Sequence, residues 1–243
     1  MATDDAALRS PHTVGRWPRT SLLGSLTDAG RQVLLHQGSL VQYTEASRVL
    51  MREGEGATFV YLLLDGVVKA TGLTDTGRDT LLAVRMGGDL VGEFAAIDGG
   101  TRSATVTTCG AVVARVVRIP DFLDCLRRNP DIAHAVNRAV VGKLRHANAR
   151  RMDFYGCDVP TRVARVLFHV AVTYGDRNGN QAVIRWSLTQ PELAGLAGAA
   201  EPSVQKALRQ LRSKGVVSTG YRSLTVLDLD RLETIGFASA PED

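Results

Sequence analysis

The feature that most constrains the fold is a change in the spacing of apolar residues close to Pro120. Before that point the apolar segments are short, rich in β-branched residues, and separated by turn signals such as Asp65-Gly66. Short segments of this kind at regular spacing are typical of a β-sandwich or β-barrel. After Pro120 the apolar residues recur every three or four positions, as they do on the buried face of a helix. We therefore predict an α+β fold, with an all-β region followed by mainly helical segments.

The chain has 243 residues, which suggests two domains because one domain usually spans roughly 100–200 residues. We predict a mobile polar tail over residues 1–17, a β-rich domain over 18–129, a long helix over 130–156, and a second domain over 157–243. The last boundary rests on Gly156, which can end a helix, and on Asp158 and Pro160, which suit the start of the next one.

The long helix carries a narrow apolar stripe on an otherwise polar surface. The stripe consists of residues spaced four apart, namely Ile132, Val136, Val140 and Leu144. Such a stripe can pack against its own domain or against the same helix of a second copy. Because the surrounding positions are polar, we predict that these residues form the seam of a homodimer.

The segment TQPELAGLAGAAEPSVQKALRQLRSKG, residues 189–215, has the pattern of two short helices joined by a turn. Thr189 and Glu192 are spaced as a capping box at the start of the first helix, and Gly198 suits the turn. Two further short strand patterns, VVSTG and LTVLD, lie on either side of Arg222 and predict a β-hairpin. Together these elements predict a helix-turn-helix with a wing.

The outward face of the second of these helices is basic, within a chain whose net charge is only +4. Positions 201–222 hold five basic residues and one acidic residue. Phosphate contacts supply much of the affinity of a protein for DNA, and they need such a one-sided surface. A solvated face of an ordinary helical hairpin is the alternative, but the order of capped helix, turn, second helix and wing favours DNA binding. The predicted DNA-contacting residues are Thr189, Gln190, Glu201, Ser203, Gln205, Lys206, Arg209 and Arg222.

The order of these elements, together with the stretch VGEFAAIDGGTRSATV at residues 91–106, resembles the cyclic AMP receptor protein (CRP/FNR) family of bacterial transcription regulators. The resemblance extends from about Ser21 to Leu232. It implies an N-terminal cyclic-nucleotide-binding β-roll of the jelly-roll type, a long dimerisation helix and a C-terminal winged helix-turn-helix. It also implies a cytoplasmic homodimer that binds double-stranded DNA at an inverted-repeat operator and contacts RNA polymerase.

The family's phosphate-binding cassette has a Gly-Glu…Arg-Ser/Thr-Ala form, which the same stretch matches. The resemblance implies that Glu93 takes the ribose 2′-hydroxyl of a cyclic nucleotide and that Arg102 takes its phosphate. A carboxylate and a guanidinium suit these groups, and small residues between them let backbone N–H groups approach. Gly92, Ser103 and Ala104 would assist. Alternatively, Glu93 and Arg102 form a buried ion pair that only stiffens the roll of a nucleotide-independent regulator.

On the long helix, the sequence departs from the cyclic AMP receptor protein where a Thr-Ser pair contacts adenine. An ungapped count places Ala147 and Asn148 at these positions. The Asn148 amide can donate and accept hydrogen bonds at an adenine edge, whereas Ala147 can do neither. The effector is therefore predicted to be cyclic AMP, another nucleotide, or none. No other cofactor is required.

The second helix of the helix-turn-helix departs further from the family. Many members begin this helix with Arg-Glu-Thr-Val-x-Arg, whereas this chain has Glu-Pro-Ser-Val-Gln-Lys at residues 201–206. Pro202 has no polar side-chain group with which to read a base, and Lys206 lacks the rigid fork of an arginine. Glu201 can accept a hydrogen bond from a cytosine amino group. We therefore predict an operator that differs from the family's TGTGA half-site.

Catalysis, metal binding and membrane insertion are not predicted. No nucleophile–base constellation is present, and the three cysteines and five histidines lack metal-ligand spacing. No apolar run approaches the roughly 18 residues of a membrane span, and the first residues do not resemble a secretory signal. A cyclic-nucleotide-binding regulatory subunit of an enzyme is a third reading. It is disfavoured because the chain after the long helix has room only for the winged helix-turn-helix.

Overall fold

The computed structural model describes residues 17–220 and 223–237. Its residues group into two compact units, one formed by residues 17–70 and 84–143 and the other by residues 71–83 and 144–237. The division falls inside the long helix, and the domain limits stated above remain predictions. The predicted tail lies outside the described residues except for Trp17. This residue is half-buried and donates its indole N–H to the carbonyl of Leu64 at 2.9 Å.

The β-rich part of the chain folds into two four-stranded sheets. Its strands are β1 (Ser39–Tyr43), β2 (Val49–Met51), β3 (Phe59–Asp65), β4 (Val67–Leu73), β5 (Asp79–Met86), β6 (Leu90–Val91), β7 (Thr105–Thr108) and β8 (Val112–Arg118). The sheet orders are β1-β8-β3-β6 and β2-β7-β4-β5. Neighbouring strands are far apart in sequence and antiparallel, as in the pairs β1–β8 and β3–β8. This arrangement confirms the predicted β-roll.

Helices lie before, between and after the strands of this region. They are α1 (Leu22–Ser25), α2 (Asp28–Leu35), α3 (Glu93–Asp98), α4 (Ile119–Arg128) and α5 (Pro130–Gly156), the last of which continues into the second unit. The predicted long helix is therefore present with the predicted ends.

Strand β3 separates two apolar cores of the first unit. Successive side chains of a strand point to opposite faces of its sheet. Tyr61 and Leu63 accordingly pack in a core shared by both sheets, whereas Val60 and Leu62 pack in a core shared with the helices. The unbroken apolar run of this strand reflects burial on both faces.

The core shared with the helices includes the beginning of α5, which corrects the predicted dimer seam. Ile132 and Val136 are each only 1% exposed and pack against residues of α1, α2 and α4. They cannot contact a second copy while they fill this core. Val140 is half-buried, and Leu144 is 59% exposed. The prediction was wrong for the first two residues because the stripe turns from its own domain to the surface along the helix.

The second unit is a helical domain with a small sheet. Its further elements are α6 (Val159–Tyr174), β9 (Asp176–Asn178), β10 (Gln181–Ile184), α7 (Gln190–Ala197), α8 (Glu201–Ser213), β11 (Val217–Gly220), β12 (Ser223–Val226) and α9 (Leu229–Phe237). The sheet order is β11-β12-β10-β9. Helix α6 contacts α7, α8 and α9, and its buried face includes Val163 and Leu167. The predicted helix-turn-helix corresponds to α7 and α8, and β11 and β12 form the predicted hairpin.

Replacing Ile132 by alanine should lower the free energy of unfolding by about 2–5 kcal/mol, because it empties a filled core position. Urea unfolding followed by circular dichroism measures the loss. Leu40→Ala, at a 42% exposed position of β1, is the control and should change stability by less than about 1 kcal/mol. Equal small losses in both variants would contradict the placement of Ile132 in the core.

Candidate effector and nucleic-acid-binding sites

The stretch predicted as a phosphate-binding cassette forms a tight connection between β6 and β7. Gly92 has a φ of 83°, in the left-handed region that favours glycine, and α3 begins at the next residue. A Cβ atom at Gly92 would lie closer to Nη1 of Arg102 than two such atoms can approach. Glycine is therefore required here both by the backbone angle and by the guanidinium packed against it.

Glu93 is the first residue of α3 and is only 4% exposed. Its Oε1 accepts a hydrogen bond from Nζ of Lys143 on α5 at 2.7 Å. The same ammonium donates to the carbonyl of Leu90 at 2.7 Å. Burial lowers the pKa of Lys143, and the neighbouring Glu93 carboxylate opposes that change. The sequence analysis missed Lys143, because no local pattern shows that this position of a long helix meets the cassette.

Arg102 is only 3% exposed and bonds to the main chain rather than to an acid. Its Nη1 donates to the carbonyl of Gly92 at 3.0 Å, and its Nη2 donates to the carbonyl of Phe59 at 2.5 Å. The guanidinium carbon lies 4.9 Å from the centroid of the Phe59 ring. Burial lowers the pKa of this guanidinium.

The predicted alternative, an ion pair between Glu93 and Arg102, is not formed. Within the part of the chain that the structure describes, Glu93 pairs with Lys143 alone, and Arg102 has no ion-pair partner. The buried Tyr61, the exposed Glu55 and Glu93 itself favour the charged form of Arg102 only through space, without a salt bridge. The charge of the carboxylate is thus compensated, whereas that of the guanidinium is not. This arrangement suits a ligand with a single negative charge.

For the other residues predicted to hold an effector, the structure gives positions and exposure but no contact that indicates a role. Ser103 is exposed and Ala104 is half-buried, both between α3 and β7. Asn148 is exposed on the part of α5 that belongs to the second unit. The roles assigned to these residues remain predictions.

The first helix of the helix-turn-helix begins as its sequence predicts. The Thr189 hydroxyl accepts a hydrogen bond from the backbone N–H of Glu192 at 3.3 Å. The Glu192 carboxylate accepts one from the backbone N–H of Thr189 at 2.8 Å, which completes the capping box. Gly198, with a φ of 57°, ends the helix and makes the turn. Thr189 and Gln190 are exposed at this helix start.

Helix α8 separates an apolar face from a polar one. Its buried residues are Val204, Ala207, Leu208 and Leu211. Its opposite face exposes Glu201, Gln205, Lys206 and Arg209, while Ser203 is half-buried near the helix start. The predicted contact residues of this helix therefore share one side, apart from the partial burial of Ser203.

A further contact connects α8 with the predicted wing. Arg212 is exposed and its Nη1 donates to the hydroxyl of Thr219 on β11 at 2.9 Å. Arg222, the predicted wing contact, lies outside the described residues. The outward surface of α8, with Lys206, Arg209 and Arg212, is thus a basic face of the kind that phosphate contacts require.

Known proteins share both parts of this arrangement. The family description "Cyclic nucleotide-binding domain" matches residues 41–129, and "Crp-like helix-turn-helix domain" matches residues 161–235. The CRP-like cAMP-activated global transcriptional regulator of Mycobacterium tuberculosis is 31% identical over 180 residues, which cover 74% of this chain and 80% of that protein. The cyclic AMP receptor protein of Thermus thermophilus is 28% identical over 188 residues, which cover 77% of this chain and 84% of that protein.

Solved structures agree with these relatives. A CRP-family transcriptional regulator from Thermus thermophilus superimposes with a TM-score of 0.67 at 25% identity, over 83% of this chain and 98% of that chain. FixK2 from Bradyrhizobium japonicum, at 20% identity, shares the fold with a TM-score of 0.70 over 83% of this chain and 98% of its own.

None of the described helices combines the length and the apolar character that crossing a membrane requires. Across residues 17–220 and 223–237, no three histidine, cysteine, aspartate or glutamate side chains converge as a metal site would need.

The matched domains, their order and the structural likeness lead to one conclusion. The chain belongs to the CRP/FNR family and is a DNA-binding transcription regulator, with a cyclic nucleotide-binding domain followed by a helix-turn-helix domain.

Proposed function

We propose that this regulator is a cytoplasmic homodimer, that its cassette binds a cyclic nucleotide or a similar small anion, and that binding controls its affinity for an inverted-repeat operator. It acts together with RNA polymerase, has no catalytic activity and needs no cofactor besides the effector. The observation that carries the effector proposal is the buried, uncompensated guanidinium of Arg102.

A buried guanidinium without an acid is unfavourable unless something supplies negative charge. Two carbonyls accept from two of its five N–H groups, and within the described residues the others have no hydrogen-bond partner. A cyclic phosphate carries one negative charge and several acceptor oxygens. It therefore supplies both the counter-charge and the hydrogen-bond acceptors that Arg102 lacks. The name of the Mycobacterium tuberculosis relative describes a cAMP-activated protein, which makes cyclic AMP the first ligand to test.

Cyclic AMP or cyclic GMP should bind the wild-type protein, and Arg102→Ala should weaken that binding by roughly 10- to 100-fold or more. Loss of a charge-assisted pair typically costs about 1.5–3 kcal/mol, or roughly one to two powers of ten in affinity. Isothermal titration calorimetry measures both proteins. Arg115→Ala is the matched control. Among the described residues, Arg115 also donates only to main-chain carbonyls, those of Gln37 and Gly38, but it lies outside the cassette. Wild-type protein that binds neither nucleotide at millimolar concentration would instead support a nucleotide-independent regulator.

The dimer is proposed to form through the exposed part of α5. Large apolar side chains there include Val141, Leu144, Met152 and Tyr155, which are 47–72% exposed. Their spacing, with Asn148 between them, places them on one side of the helix at intervals of three and four residues, as in a two-helix seam. A second copy is the partner because a two-fold axis brings the same stripe against itself, and a central asparagine can set its register.

Leu144→Asp should convert the dimer to a monomer, because it would bury a charge in the seam. Sedimentation velocity at micromolar concentration measures the change. Leu73→Asp, at a 62% exposed position at the end of β4, should remain dimeric and serves as the control. A wild-type chain that sediments as a monomer, or a Leu144→Asp variant that stays dimeric, would contradict this seam.

A two-fold dimer should place its α8 helices in successive major grooves, about 34 Å apart, on an inverted repeat. Lys206 is proposed to read a base, so Lys206→Ala should relax base preference and cost about 1–3 kcal/mol on the selected site. Arg209→Ala, on the same exposed face, is proposed to lose a phosphate contact. It should weaken all sequences alike and lower the salt slope by about one.

Selection of sites from random DNA, followed by binding titrations at several salt concentrations, distinguishes these roles. If wild-type and Lys206→Ala proteins select the same motif with the same information at each position, Lys206 does not read a base. If the wild type selects no inverted repeat, the proposed two-groove dimer is wrong.

A further inference from the structure

The cassette contains a small, almost water-free group of charges around Lys143. The Lys143 ammonium donates to Glu93 and to the carbonyl of Leu90, both at 2.7 Å, and its side chain is 15% exposed against 5% for that of Glu93. Arg85 and Asp89 are close enough to shift the pKa of Lys143, and they do so in opposite directions. Burial is also the main cause of a raised pKa at Asp89. These two neighbours therefore contribute opposing charges.

The balance of charge at the cassette depends on Lys143. With Lys143 present, the negative charge of Glu93 is neutralised by a salt bridge, and the positive charge of Arg102 has no counter-charge among the described residues. Without Lys143, the buried Glu93 carboxylate would be free to pair with Arg102, because Arg102 already donates to the carbonyl of Gly92, the residue before Glu93. Two opposite charges confined in a site of low dielectric constant attract each other strongly. A carboxylate freed in this way would compete with an anionic ligand for the same guanidinium.

We propose that Lys143 is a positioning residue. It holds and neutralises Glu93, and Arg102 therefore remains free to bind an anionic effector. This inference rests on the proposed function, in which the cassette binds an anion. It also accounts for the cassette containing a buried acid and a buried arginine that do not pair. The acid remains an acceptor for a ligand hydroxyl through its second oxygen, since Lys143 uses only Oε1.

The position of Lys143 adds a structural consequence. The residue lies on α5, whose beginning is anchored in the core by Ile132 and Val136. The charge that decides the selectivity of the cassette is therefore supplied by the long helix and not by the β-roll. A displacement of this part of α5 would change the charge of the cassette at the same time.

A double-mutant cycle tests the proposal. Cyclic AMP and cyclic GMP are titrated calorimetrically into wild-type protein, Lys143→Met, Lys143→Arg, Glu93→Gln and the double variant Lys143→Met/Glu93→Gln. Lys143→Met should weaken binding about 10- to 100-fold, because Arg102 then pairs with Glu93. Lys143→Arg should bind, because it keeps the charge. The double variant should bind within about threefold of Glu93→Gln, because a neutral residue 93 no longer needs neutralising.

Rescue by Glu93→Gln is the result that a direct contact between Lys143 and the ligand cannot produce. If the double variant binds more than about tenfold weaker than Glu93→Gln, the proposal is overturned. That comparison also decides the case in which Lys143→Met alone does not fold, since the double variant buries no unpaired carboxylate. Binding by the wild type with no rescue would overturn only this inference. Absence of binding by the wild type would overturn the proposed effector function and this inference with it.

Discussion

The salt bridge between Lys143 and Glu93 joins the long helix to the cassette at a place that water hardly reaches. Removing two charges from water costs several kcal/mol for each ion, and only a close partner returns that cost. Loss of either residue would break a buried ion pair, which typically destabilises a protein by about 3–5 kcal/mol. The same contact therefore contributes to the placement of α5 on the β-roll and sets the electrostatics of the cassette.

Arg102 shows how the cassette is built around backbone as much as around charge. Its guanidinium stacks on Phe59 and bonds to the carbonyls of Phe59 and Gly92, which links β3 to the start of α3. The left-handed conformation of Gly92 and the closeness of Arg102 leave no room for a side chain there. The cassette motif that indicates ligand binding thus also determines a local backbone conformation. Ligand binding and this conformation both require Gly92 and Arg102.

The long helix shows where a repeating pattern stops being informative. Ile132, Val136, Val140 and Leu144 have the same spacing and similar chemistry, yet the first two fill the core of their own domain and the last is exposed. Periodicity identifies the side of the helix that avoids water, because burial of apolar surface is favourable whatever covers it. It does not identify the covering surface. The exposed stripe that continues along α5 therefore became visible only when the core positions were known.

The helix-turn-helix could be predicted from residues close together in sequence. The capping box of Thr189 and Glu192, the left-handed turn at Gly198 and the buried positions of α8 arise from hydrogen bonds and periodicities within a few residues. The β-roll followed similarly from its short strands and turn signals, and the chemistry of Glu93 and Arg102 from their residue types. Which groups these two side chains contact depended on folding. Lys143 is 50 positions from Glu93, and Phe59 is 43 positions from Arg102. No local pattern encodes such distant contacts, because they form only when sheets and helices pack around a common core.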